Sequence, residues 1–175
     1  MGRREAPRDR VDEIVRLWAK ARPDLDPEPM APIGRILRLA RHFDRELAPI
    51  YRPSGLDFGL FDVLATLRRV GPPYRLTPGE LDDWCMVTSG GMTARLQRLQ
   101  EAGFVDRRQD SNDGRVVQVE LTPAGLEVID ELVVRHLERE EELLSALTRE
   151  ERAEVAALLR QLLAHFEQAP AGAAA

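Results

Sequence analysis

The chain has 175 residues and a net charge of -5, enough for one domain with a sizeable core together with dimerising arms. It contains no apolar run of about 18 residues, which excludes a helical membrane span, and its charged N-terminus differs from a secretory signal. The single cysteine excludes an internal disulfide and fits a reducing cytoplasm, where we expect the protein. The acidic balance excludes a protein coated in basic residues.

Two helices are predicted in residues 11–56, after a flexible N-terminus of residues 1–10. Apolar residues at helical spacing begin at Val11, and the first helix should end before Pro23. We expect the second helix to bend or end near Pro49, because proline has no backbone N–H for the helical hydrogen bond. The first is an added N-terminal helix, and the second is predicted to take part in dimerisation.

The central segment, residues 57–122, is predicted to hold three helices followed by a hairpin. Asp57 can cap the first of these helices. Thr77 and Glu80 fit a capping box that begins the second. A third helix, capped by Thr88 or Ser89, should follow after a turn and end at Gly103.

Two segments with strand composition, 104–108 and 116–121, flank the sequence Asn112-Asp113-Gly114, which is typical of a turn. Helix, turn, helix and hairpin in this order predict a winged helix-turn-helix. The predicted fold class is therefore mainly α with a small β-hairpin wing, in which a winged helix-turn-helix is joined to a helical dimerisation domain.

The third helix of this segment has a polar face that suits DNA. A helix fits the major groove, where small residues allow close approach and polar ones bond to bases or phosphates. The residues opposite the apolar Met92, Leu96 and Leu99 are Gly90, Thr93, Ala94, Gln97 and Arg98. Ser89, with the free N–H groups of the helix end, could hold a phosphate.

The hairpin contributes the second predicted DNA contact. Arg115 lies near its tip, where a guanidinium can enter the minor groove, and Asp113 can hold that guanidinium in place. The segment from Thr88 to Arg115 contains five arginines and four acidic residues, which gives it a net charge of +1 within an acidic chain. The charge imbalance alone is a weak signal, and a charged hairpin can also serve solubility.

Residues 123–167 are predicted to form two further helices for dimerisation, and residues 168–175 a disordered tail. These helices carry more leucine than a lone helical hairpin can bury, so they suggest a helical dimer interface. Thr148 and Glu151 fit a second capping box.

We find no pattern that indicates an enzyme, a cofactor or a metal site. A phosphate-binding glycine loop and a nucleophile elbow are both missing from the sequence. The three histidines lie on separate predicted helices without metal-ligand spacing. Cys85 could be a redox switch, but its apolar neighbours favour a buried, inert thiol.

The sequence DGRVVQVELTPAG resembles the wing signature of the MarR family of bacterial transcription regulators, with Asp113, Arg115, Leu121 and Thr122 at the matching positions. RLQRLQEAGFVDRR is similar to the recognition helix and first wing strand of that family. The resemblance covers nearly the whole chain. It implies a homodimer with winged-helix lobes that binds palindromic double-stranded DNA.

The added N-terminal helix is similar to the subgroup of urate-responsive and PecS-like repressors. In that subgroup a tryptophan, an aspartate and two arginines are linked to ligand sensing. The matching residues here are Trp18, Asp62, Arg95 and Arg107. Two arginines could converge on an anion, and the indole could supply a flat wall for a planar ligand. Each residue could equally have an ordinary role. The tryptophan could be a core residue, the aspartate could pair with Arg68 or another surface base, and the arginines could contact phosphates.

These residues predict a ligand-responsive transcriptional repressor that is released from its operator by a small anion, such as urate or another purine, an aromatic acid or a tricarboxylic acid. Two alternatives stay open. One is a winged-helix protein-interaction module that does not bind DNA, and the other is a repressor that senses oxidants through Cys85.

Overall fold

The computed structural model describes residues 7–86, 91–109 and 116–167. The chain is mainly helical with a small antiparallel sheet, as the sequence predicts. The elements are α1 Arg10–Ala21, α2 Met30–Tyr51, a 3-10 turn Arg52–Ser54, α3 Phe58–Arg69, β1 Arg75–Leu76, α4 Pro78–Trp84, α5 Met92–Glu101, β2 Val105–Gln109, β3 Val117–Leu121, α6 Pro123–Leu143 and α7 Arg149–Glu167.

Helix α3 is the centre of the core. Val63, Leu64 and Leu67 are fully buried, and α2, α4, α5, α6 and β3 all pack around this helix. Asp57 caps it as predicted, since the backbone N–H of Leu60 donates to Asp57 Oδ1 at 3.0 Å. A helix enclosed on most sides becomes the frame to which the other elements of this lobe are fixed.

The sheet has three strands in the order β1-β3-β2, where the sequence predicted a two-stranded hairpin. β2 and β3 are antiparallel, with Arg107 opposite Val119. β1 adds Arg75 opposite Glu120 on the other edge of β3. A strand of two residues is too short for an alternating pattern, which is why the sequence did not show it.

Both predicted capping boxes are confirmed. At the start of α4, the N–H of Glu80 donates to Thr77 Oγ1 at 3.2 Å and the N–H of Thr77 donates to Glu80 Oε2 at 2.7 Å. The same reciprocal pair joins Thr148 and Glu151 at the start of α7.

Helix α2 runs through Pro49 and ends two residues later at Tyr51, near the predicted end. A proline in the last turn removes only one hydrogen bond near the end of the helix. α6 ends at Leu143 and α4 at Trp84.

Side-chain packing and ion pairs hold helix α1 against α2. Val11 is buried against Gly34, where a Cβ would lie 3.1 Å from the Val11 side chain. Arg35 of α2 forms ion pairs with Asp9 at 2.9 Å and Asp12 at 2.7 Å.

Helix α7 has no buried residue within the single chain. Its apolar side chains are exposed, among them Leu158, Leu163 and Phe166. In the described ranges no helix is both long and apolar enough to cross a membrane.

The segment Leu121-Thr122-Pro123-Ala124-Gly125 joins the wing to α6. In this segment the backbone at the start of α6 passes close to the backbone that leads into the wing. Thr122 Oγ1 accepts the N–H of Gly125 at 3.0 Å and donates to the carbonyl oxygen of Gly103 at 2.7 Å. A Cβ at position 125 would lie 2.0 Å from the carbonyl oxygen of Phe104. Position 125 therefore has room only for glycine.

We predict that Gly125→Ala lowers the free energy of unfolding by about 3 kcal/mol, because a methyl group cannot fit against a backbone carbonyl without moving the helix. Urea denaturation followed by circular dichroism measures the change. Gly79→Ala in α4 is the matched control, because nothing lies within 4 Å of its Cβ position. That control should leave stability unchanged or raise it by up to about 1 kcal/mol. Equal effects of the two substitutions would contradict the steric explanation.

Candidate functional site

Helix α5 presents the predicted polar face to solvent. Met92, Leu96 and Leu99 are buried against the core, as predicted. The residues of the opposite face that the structure describes are exposed: Thr93, Ala94, Gln97 and Arg98. The core thus fixes the rotation of the helix, and this rotation decides which side chains face solvent.

The start of α5 differs from the prediction. The helix begins at Met92, and its N-cap is Gly91 with φ of +98°, not Thr88 or Ser89. This left-handed backbone suits glycine, which explains where the helix starts. Glycine has no side chain that could cap the first N–H groups of the helix, and these groups are of the kind that can bind a phosphate oxygen.

Arg98 joins α5 to the start of α3. Its Nη1 donates to Asp57 Oδ2 at 2.9 Å, while the other carboxylate oxygen caps α3. Partial burial acts to raise the pKa of Asp57, but the Leu60 N–H and the guanidinium outweigh it and hold this pKa below its ordinary value. Arg98 remains more than half exposed, so it can reach an external anion as well.

Four predicted DNA-contacting residues, Ser89, Gly90, Asp113 and Arg115, lie outside the described residues.

A cavity of about 640 Å³ lies between α2, α3 and α6. This volume is within the usual range for small-molecule sites, and the walls are predominantly apolar. The lining residues are Ala40, Phe43, Asp44, Leu47, Phe58, Phe61, Asp62, Ala65, Arg69, Met86, Val133, His136, Leu137, Glu140, Leu143 and Leu144.

Of the four predicted ligand residues, Asp62 lines this cavity. It is only 2% exposed, and its Oδ2 accepts the backbone N–H of Met86 at 2.5 Å. Its Oδ1 lies 4.0 Å from Nη1 of Arg69, whereas Arg68 instead pairs with Asp130 at 2.6 Å. Asp62 therefore does not pair with Arg68, and its ion pair with Arg69 fits the other form of that alternative, a pair with another surface base.

The two predicted arginines lie on the winged-helix lobe, Arg95 on α5 and Arg107 on β2. The Arg95 side chain passes over Gly59 of α3. A Cβ added at Gly59 would lie 2.9 Å from Arg95 Nε. Arg107 Nη2 donates to the carbonyl oxygen of Thr93 at 3.3 Å. Its Nε is buried and has no hydrogen-bond partner among the described residues.

Trp18 lies apart from these three residues in the single chain. It is on α1, its ring is 45% exposed, and it does not line the cavity. The structure thus places Asp62 in the cavity wall and Arg95 against the same helix, but does not bring the indole to them within one chain.

The sequence missed a polar cluster in the cavity wall. The Tyr51 hydroxyl and His136 Nδ1 share a hydrogen bond of 2.7 Å, and His136 Nε2 lies 3.1 Å from Glu140. His136 also packs on Phe61, with ring centroids 4.7 Å apart. Burial raises the pKa of the tyrosine, so its hydroxyl stays protonated. The contact spans 85 positions of the chain, and no local pattern reveals such a pair.

Arg69 was also missed, although its spacing was a usable signal. It lies seven residues after Asp62 on the same helix, which places both side chains on one face. Among the described residues that line the cavity, it is the one guanidinium.

Comparison with known proteins identifies the lobe that contains these elements. The MarR family model matches residues 54–116. The transcriptional regulator PecS of Dickeya dadantii is 38% identical over 156 residues, covering 89% of this chain and 94% of that protein. The chain belongs to the MarR family.

Two further similarities support this membership. The multiple antibiotic resistance protein MarR of Salmonella typhimurium is 32% identical, covering 75% of this chain and 91% of that protein. The crystal structure of a mutant MarR from Escherichia coli in complex with operator DNA matches with a TM-score of 0.67 and 30% identity, covering 77% of this chain and 96% of that one. These relatives are transcription regulators, and the winged-helix fold is shared with them.

Cys85 is partly buried in this MarR-family lobe. Its Sγ lies 3.4 Å from Thr66 Oγ1, and burial raises the pKa of the thiol. A thiol with a raised pKa is protonated at neutral pH and reacts slowly, because the thiolate is the nucleophile. Within the described ranges, no group of three or more histidine, cysteine or acidic side chains could hold a metal ion.

We predict that iodoacetamide alkylates Cys85 more slowly at pH 7 than it alkylates free cysteine, and that a higher pH is needed to reach the same rate, because burial raises the pKa of this thiol. Mass spectrometry of timed samples measures the rate, and the urea-unfolded chain is the control for intrinsic reactivity. Reaction at pH 7 as fast as in the unfolded chain would show a thiolate and would restore the redox alternative.

Proposed function

We propose that this MarR-family regulator binds a palindromic operator as a homodimer, represses transcription there, and is released by a small anionic ligand. A protein of this kind acts on the chromosome in the cytoplasm. The observation that carries the proposal is the solvent-facing polar side of α5, which the core holds outward. A relative with 30% identity has been solved in complex with operator DNA.

The DNA contacts follow from the α5 face. Thr93 and Gln97 are placed to meet base edges, Ala94 allows close approach, and Arg98 supplies charge. The first N–H groups of α5 can hold a phosphate. Ser89, Gly90, Asp113 and Arg115 complete the proposed set from the sequence, with Arg115 in the minor groove and Asp113 as its partner.

The dimer is proposed from apolar surface that one chain leaves uncovered. α7 exposes Leu158 and Phe166, and α2 exposes Ile33 and Leu37. Several large apolar side chains left exposed on helices from both chain ends are typical of an interface. Two lobes must then present α5 to half-sites about 34 Å apart, one turn of DNA.

The ligand is proposed to be a planar or compact anion, with urate and other purines, aromatic acids and tricarboxylic acids as the candidates. Asp62 is contributed from the cavity wall and Arg95 from its place against α3. Arg107 has a buried Nε donor without an acceptor among the described residues. Trp18 is included through the family resemblance and its half-exposed ring. A ligand held by Arg95 acts directly on α5, so a difference of a few kcal/mol between the two states suffices to release DNA.

The protein-interaction alternative is less well supported. A module that had lost DNA binding would have no need of an exposed guanidinium and polar face on this helix. The oxidant-sensing alternative requires a reactive thiol, and the raised pKa of Cys85 opposes it.

We predict that Arg98→Ala weakens binding to the operator upstream of the gene by several-fold and reduces the slope of log affinity against log salt concentration by about 1, because one phosphate contact is lost. Fluorescence anisotropy with a labelled duplex at four salt concentrations measures both quantities. Arg22→Ala is the control, since Arg22 is also exposed and paired with a carboxylate, that of Asp24, but lies after α1. A wild-type chain that binds no duplex from that region would contradict the proposed function.

We predict that Trp18→Ala and Arg107→Ala bind the operator but respond weakly to the anion that releases the wild type. Thermal-shift screening of urate, citrate and benzoate on the wild type selects that anion, and anisotropy measures the response. Arg108→Ala is the control, because Arg108 is on the same strand but is exposed and paired with Asp106. Normal release of both variants would show that the site is wrongly assigned.

A further inference from the structure

The end of α4 is held by polar side chains of α3 at two backbone groups. The backbone N–H of Met86 donates to Asp62 Oδ2 at 2.5 Å. Nη2 of Arg69 donates to the carbonyl oxygen of Trp84. Both contacts fix the main chain just before the turn into α5, so they act on backbone position rather than on a side chain.

A third contact lies between these two. Thr66 Oγ1 donates to the carbonyl oxygen of Asp62 at 2.7 Å and touches Cys85 Sγ at 3.4 Å. Spacings of four and three residues place Asp62, Thr66 and Arg69 on one face of α3. We call these three residues the α3 stripe; it contacts three consecutive residues, 84–86.

The α3 stripe also borders the cavity. Asp62, Arg69 and Met86 all line it. Arg69 is 41% exposed, so a ligand in the cavity can reach its guanidinium without any rearrangement of the core. Asp62, at 3% side-chain exposure, is much less accessible.

We propose that Arg69 is a positioning residue through which a carboxylate ligand in the cavity loosens the helix-turn-helix. In the free protein Arg69 holds the Trp84 carbonyl and keeps the α4 end in the DNA-binding position. A carboxylate in the cavity attracts the same guanidinium, because a bidentate pair with an anion is stronger than a single bond to a neutral carbonyl. The main chain at 84–86 then loses one of its hydrogen bonds to α3, and α5 shifts with it.

This inference rests on the proposed function and adds to it a residue outside the four that the family resemblance indicates. It also gives the acidic ligand a counter-charge inside the cavity, where Asp44, Asp62 and Glu140 would otherwise repel it. The effect on DNA follows from geometry, since a small displacement of each α5 changes the separation of the two recognition helices.

The experiment compares three variants of the full chain: Arg69→Ala, Arg69→Lys and Arg68→Ala. Arg68 is the matched control, since it is the preceding arginine on α3 but pairs with Asp130 of α6 at 2.6 Å. Hydrogen exchange of the 84–86 amides is measured by NMR without DNA. Operator affinity is measured by anisotropy with and without benzoate and, separately, citrate as the carboxylate probes.

We expect Arg69→Ala to raise amide exchange at 84–86 and weaken operator binding by about tenfold, the effect of losing one hydrogen bond to a charged group. Benzoate or citrate should speed exchange at Met86 in the wild type and change Arg69→Ala little. Arg69→Lys should restore operator binding, since an ammonium can still donate to the carbonyl, but not the full response to the carboxylate. Arg68→Ala should match the wild type in all three measurements.

Unchanged exchange at 84–86 in Arg69→Ala overturns the proposal, and so does a wild-type Met86 amide that neither carboxylate affects. Loss of affinity with an undiminished carboxylate response in Arg69→Ala would reduce the residue to a structural role and also overturn it. Failure of the wild type to bind any operator contradicts the proposed function instead, and the exchange measurements without DNA distinguish the two failures.

Discussion

The carboxylate of Asp62 is buried in the central helix, where a charge is costly unless donors meet it. One donor to this carboxylate is the main-chain N–H of Met86, just after the next helix. The need of this buried carboxylate for a hydrogen-bond donor thus helps to set the position of α4 relative to α3. The turn that leads into α5 starts from that point. The orientation of the polar face of α5 depends on this requirement as much as on hydrophobic packing.

Helix α3 contributes both to the core that holds α5 and to the wall of the cavity. Leu96 and Leu99 of α5 are buried in the core that α3 organises, while Asp62 and Arg69 of α3 line the cavity shared with α2 and α6. Since a helix with its side chains is only about 10 Å across, the cavity and the exposed face of α5 are separated by little more than two helices. Close-packed elements transmit small shifts, so a site at this distance needs no long pathway to affect α5.

The features that sequence predicted well are local ones. The capping boxes at Thr77 and Thr148 depend on residues three positions apart, and the buried side of α5 depends on a period of 3.6. Gly91 was missed as the N-cap because a left-handed backbone conformation leaves no local pattern, and Thr88 and Ser89 were both suitable N-cap residues by type. The two residues of β1 have no pattern at all.

The candidate site was predicted only in part because it depends on contacts between distant segments. Asp62 was found through resemblance, but its hydrogen bond to Met86 crosses 24 positions, and the Tyr51–His136 pair crosses 85. Arg69 could have been found from helical spacing to Asp62.

The leucines of α7 have a further consequence for the cell. Ordering a helix costs conformational entropy, and α7 buries no side chain within its own chain to offset that cost. With the proposed dimer, its stability becomes a matter of mass action, rising with the concentration of a second copy. The abundance of the protein then sets the fraction of chains competent to bind DNA, so the regulator has a threshold that depends on its own copy number.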